Sequence, residues 1–162
     1  MSSVPDDSVA TAIQLAAVAA LQAGAEFSGV PILGRRETNI ANDIEQAINE
    51  LGGACVYVMP GTPKSFTIGA GAPYADRYEL RIRCIENDTL NSTLPPVLVL
   101  VEYVLRRLFG QQWPEAVPGM NPLYPAEGQP VVQQPDDARL IWDVVLETSL
   151  GLLPRVQTDP SV

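Results

Sequence analysis

Residues Tyr78-Glu79-Leu80-Arg81-Ile82-Arg83-Cys84 alternate apolar and charged side chains without a break. Successive side chains on an extended chain project to opposite faces, so this period of two predicts a half-buried strand, extended here over 75–86. The pattern returns near the C-terminus over 138–150. There Leu140, Trp142, Val144, Leu146 and Thr148 share one face, and Arg139, Asp143 and Glu147 share the other. Strands with one apolar and one charged side belong to a sheet with a solvated face, the usual arrangement of antiparallel sheets.

Upstream of the first strand, Ala54–Met59 is a short apolar run stopped by Pro60-Gly61, and it reads as a buried strand. Ser65–Ile68 reads as a brief strand, with a flexible link over 69–73. A helix is expected from Ser8 to about Phe27, where Ile13, Ala16, Ala17, Ala20 and Leu21 recur at helical spacing behind Asp6 and Asp7. Residues 28–37 form a loop carrying Arg35 and Arg36. A second helix spans 39–51, capped by Thr38 or Asn39, striped by Ile40, Ile44, Ala47, Ile48 and Leu51, and ended by Gly52-Gly53.

Pro95-Pro96 opens a third helix, because first-turn amides lack a helical partner in any case. Its expected buried face runs through Val97, Leu98, Val101, Val104, Leu105 and Leu108 to Phe109, and Gly110 closes it. The order helix, helix, strands, helix, strand predicts a single α+β domain over 1–162, with helices on one face of a mainly antiparallel sheet. Residues 111–136 hold six prolines and read as an extended insertion, and 151–162 as a frayed tail. The insertion carries Trp113, Val117, Met120, Leu123, Tyr124 and Val131, so it is expected to drape over its own domain or a neighbour.

The chain contains no histidine, which removes the commonest general base, the Ser-His and Cys-His pairs and most transition-metal sites. Lys64, the sole lysine, would have to serve any Ser–Lys chemistry with Ser65, yet adjacent residues on an extended chain diverge. Glu79 with Asp143 or Glu147 is a conceivable carboxylate pair, but Arg81, Arg83 and Arg139 stand opposite, so cross-strand ion pairs are the simpler expectation. Gly69-Ala70-Gly71 lacks the lysine and following helix of a phosphate loop. No enzyme activity, cofactor or metal is therefore expected. Cys55 and Cys84 lie far apart in expected strands, too few for a structural zinc site, and are expected to be reduced.

Nineteen acidic against ten basic residues give a net charge of −9, which argues against a nucleic-acid clamp but suits a surface that DNA slides past. The apolar stretch 9–27 follows acidic residues, unlike a secretory signal, and 94–101 is too short for a membrane span. The chain is thus expected to be neither exported nor embedded. Arg106-Arg107 complements a helix C-terminus. Arg35 and Arg36, together with Trp113, Met120, Leu123 and Tyr124, are the expected contact residues for a partner, with solvated charge and core anchoring as the respective alternatives.

The glycine-ended helix running into Ala54-Cys-Val-Tyr-Val-Met-Pro60, the strand 78–84 followed by Glu86-Asn-Asp-Thr-Leu-Asn91, helix 94–110 and the strand Ile141-Trp-Asp-Val-Val-Leu-Glu147 resemble phage tail terminator, or tail completion, proteins. The resemblance covers most of 8–150, and the insertion 111–136 is longer than that layout leads one to expect. It implies a structural virion protein, assembled in the host cytoplasm. Its copies would form a ring, expected to be a hexamer, that stops tail-tube growth and joins the tube to the head connector, with DNA passing through the channel unbound. Another neck or head-completion adaptor, and a monomeric binding or accessory protein, are the alternatives.

Overall fold

The computed structural model describes residues 8–34, 39–69 and 72–151. Its axis is the strand first read from sequence, β4 (Ala72–Glu86), fifteen residues long and paired on both sides. Along one side runs β7 (Leu140–Gly151), antiparallel, from Glu86 opposite Leu140 to Tyr74 opposite Gly151, with a register shift between Ala75 and Tyr78. Along the other side β2 (Ala54–Val58) and β3 (Thr62–Gly69) lie end to end, both antiparallel. β5 (Tyr124–Pro125) and β6 (Val131–Gln134) share the outer edge of β7. β1 (Ile32–Leu33) adds to β2 in parallel, which makes the seven-stranded sheet mixed.

The fold class is thus α+β on a mostly antiparallel sheet. Three helices flank it: α1 (Val9–Gln22), α2 (Ile40–Glu50) and α3 (Val97–Leu108). One sheet face presents Val56, Val58, Leu80, Ile82, Cys84, Val144, Leu146 and Leu150, all buried, and packs with Ile13, Ala17 and Leu21 of α1 and Leu100, Val104 and Leu108 of α3. The expected single helical layer holds for these two helices only. Ala47 and Ile48 of α2 pack with Cys55 and Ile85, whose side chains emerge from the opposite face. The cause lies in the strands: Cys55, Ile85 and Ile141 form an apolar row across the otherwise charged side, and that row needs a cover.

Several boundaries move for identifiable reasons. α1 ends at Gln22, and Gly24, in an extended conformation, separates it from a 3-10 turn, Ala25–Phe27. Asn39 caps α2 by accepting from the Ala41 amide at 3.1 Å. Gly52 and Gly53 follow at φ 121° and 92°, and a Cβ on Gly53 would meet the Asn91 backbone at 2.7 Å. β3 is longer than expected and absorbs Pro63 and Lys64 through register shifts between Pro63 and Phe66, so Lys64 lies in an edge strand and not in a loop. Gly69, Ala72 and Pro73 belong to strands, not to a flexible link.

Pro95 and Pro96 donate no backbone hydrogen bond, so the first amide of α3 belongs to Val97. Its partner comes from a distant element: the buried Glu86 carboxylate accepts from Val97 N at 3.0 Å and from Asn91 Nδ2 at 2.7 Å. A carboxylate at a helix N-terminus meets the positive end of the dipole, which accounts for a buried acid on the core face. Where β1 stops, the buried Gln14 of α1 takes over and donates Nε2 to the Val58 carbonyl at 2.8 Å.

Candidate functional site

Two surface features stand out, and α3 positions the first. Its core side is Val97, Leu100, Val101, Val104 and Leu108. Leu98 and Phe109, expected to be buried, are each 54% exposed. Leu98, Glu102, Leu105 and Phe109 recur at four, seven and eleven residues, so they form a second stripe beside the core stripe, with Leu105 touching the core and the other three exposed. Glu102 within that stripe was the sequence signal for its outward direction.

The insertion completes the feature. Gly110, at φ 75°, turns the chain out of α3, and its amide donates to the Leu123 carbonyl at 2.7 Å. The Leu123 amide donates back to Gln111 at 2.9 Å. Val117, Met120 and Leu123 are buried in the main core, and Trp113 packs against it. These anchors lay β5 beside the end of α3. The result is a shallow groove of about 430 Å³ lined by Glu102, Leu105, Arg106, Phe109 and Pro125. Tyr124, 52% exposed, stands edge-on to Phe109, with ring centroids 5.6 Å apart at 82°.

The second feature is the charged half of the sheet face that α2 leaves uncovered. Asp143 is fully buried although it lies on the side expected to be solvated. It accepts from Arg81 at 3.0 Å and from Arg83 at 2.8 and 3.0 Å. Glu79 and Glu147 stand directly opposite each other across β4 and β7, an unfavourable pairing for like charges. Flanking cations offset it: Arg81 and Lys64 engage Glu79, and Arg77 engages Glu147 at 2.6 Å. Hydrogen bonding to the carboxylates raises the pKa of Arg77 and of Arg83. The expected cross-strand ion pairs therefore form between β4 and β7, whereas Arg139 turns to Glu45 of α2.

No protein-family model matches the chain, and no curated protein is detectably similar to it in sequence.

Burial raises the Cys55 thiol to about 12 and pushes Cys84 up as well. The two cysteines project to opposite faces of the sheet, and both are free thiols. Among the described residues, no three His, Cys, Asp or Glu side chains gather as a metal site would require, and no helix is long and apolar enough to cross a membrane.

Of the contact residues expected from sequence, Tyr124 is at the surface beside the groove. Met120 and Leu123 are corrected to core anchors of their own domain, because the insertion needs apolar plugs to hold its irregular backbone down. Trp113 is half-buried, and Arg35 and Arg36 lie outside the described residues. Sequence reasoning missed Leu105 and Phe109, whose apolar side chains read as core, and Pro125, whose two-residue strand leaves no periodic trace.

Proposed function

We propose that this chain is a structural virion subunit, a tail terminator whose copies close a ring at the head-proximal end of a phage tail tube and join it to the connector. The observation that carries the reading is the groove at the end of α3. It is open and mostly apolar, bordered by two half-exposed aromatic rings, and its charged lining is one acid and one guanidinium, Glu102 and Arg106. Exposed aromatic and arginine side chains around an apolar centre suit a protein contact. The order of elements along 8–150, which resembles terminator proteins, supplies the particular assembly. The acidic balance of the chain suits a channel wall that repels passing DNA.

The test is the mass of the purified protein in solution, alone and with tail-tube protein, together with low-resolution images of the particles. Rings with a central hole that bind tube ends are expected. A monomer under every one of these conditions would overturn the reading in favour of an accessory protein that acts alone. Rings that bind the connector but not the tube would reassign it to another position in the neck.

A further inference from the structure

Among the described residues, α2 buries least of the three helices. It contributes two buried side chains, Ala47 and Ile48, against four from α1 and five from α3. These two form a core of their own with Cys55 and Ile85, and Leu33, Ile44 and Ile141 pack partly against it. The sheet separates this small core from the main one. An eleven-residue helix is marginal in water without packing, so α2 depends on that contact. Its Glu45 also pairs with Arg139 of β7, but the Glu45 side chain is 55% exposed and such a pair contributes little. The C-terminal end is anchored differently. Gly52 and Gly53, both at positive φ, turn the chain sharply, and the Gly53 carbonyl accepts from the Asn87 amide at 2.8 Å.

We infer that α2 is a lid that opens on its own, pivoting at Gly52-Gly53 while α1, α3 and the sheet stay packed. Opening disrupts only the small core, whereas unfolding must disrupt the main one as well, so the open form is the more populated of the two. Lifting α2 uncovers the row Cys55, Ile85 and Ile141, which crosses the adjacent strands β2, β4 and β7 beside Arg83 and Asp143. The two cysteines distinguish this opening from unfolding. Both are 0% exposed and lie on neighbouring strands, but Cys55 sits under α2 and Cys84 in the main core. The lid is a property of one chain, with or without a ring.

The experiment labels the native protein with a neutral maleimide and follows each cysteine by mass spectrometry of its peptide. Protection is the labelling rate in the urea-unfolded chain divided by the native rate. Where reclosing outpaces labelling, protection measures the population of the form that exposes each thiol. Cys55 is expected to be protected at least about tenfold less than Cys84. Ile48→Val weakens the closed lid alone, so it should lower the protection of both cysteines by one common factor, about two- to tenfold. Val104→Ala, on the buried face of α3, weakens the closed and open forms alike. It should lower the protection of Cys84 by about that factor or more and leave Cys55 unchanged. A Cys55 protected as well as Cys84, or better, overturns the lid. So does a Cys55 unmoved by Ile48→Val, which would place the opening elsewhere. A Cys55 that falls together with Cys84 in Val104→Ala overturns it too, because both would then be exposed by unfolding.

Discussion

Asp143 shows how a side chain on the charged face of a strand can still be buried. The guanidinium groups of Arg81 and Arg83 cover it from one neighbouring strand, and each remains about one-third exposed at its own edge. Removing the carboxylate leaves two cations close together with no counter-charge. Asp143→Ala should lower unfolding free energy by about 2–3 kcal/mol in urea titration, and a loss below about 1 kcal/mol would show that solvent replaces the pair easily. Tyr78 presents the opposite case. Its hydroxyl is buried without a partner among the described residues, the ring lies against Gly61, and burial pushes its pKa up to about 12. Tyr78→Phe should therefore hold or gain stability, by up to about 1 kcal/mol, and a clear loss would reveal a hidden partner for the hydroxyl. Glu26, hydrogen-bonded by Arg107, is held below the usual carboxylate range. A depressed carboxylate contributes stability above its unfolded pKa and loses that contribution as pH falls through the folded value. The deficit of Glu26→Gln at neutral pH should thus vanish in acid, as thermal melts across pH would show.

Elements here are held by partners remote in sequence. α3 begins where proline removes the nearby donors, and Glu86 on β4 supplies the cap from eleven residues upstream. Glu86→Ala should cost about 1–2 kcal/mol and loosen the first turn of α3 more than the last, which hydrogen exchange resolves residue by residue. The insertion 111–136 was legible as irregular and as apolar enough to pack. Its two short strands were not, because two to four residues carry too little alternation to register. The stripe Leu98, Glu102, Leu105, Phe109 could have been separated from the core stripe by helical geometry, since both were written in the same spacing. What hid it was composition: leucine and phenylalanine look like core residues on either side of a helix.

The whole molecule sets a charged sheet half, an apolar groove and an exposed edge strand around one mixed sheet. The groove at the end of α3 is mostly apolar, so the proposed assembly, where it uses that groove, should be governed by apolar contact. Self-association should therefore survive moderate salt with only a modest loss, as sedimentation at rising ionic strength would measure; collapse of the assembly in salt would instead assign it to the charged sheet face. The alternation over 78–84 and 140–148, the glycine stops and the helical stripes are local, and local periodicity was enough to establish two central strands, three helices and the α+β class. Only the tertiary structure decided that β1 joins in parallel, that α2 crosses to the other face, and that Met120 and Leu123 turn inward. Those outcomes depend on which strands become neighbours and which apolar rows then need a cover. Such long-range pairings form between residues far apart along the chain, so no window of sequence contains them.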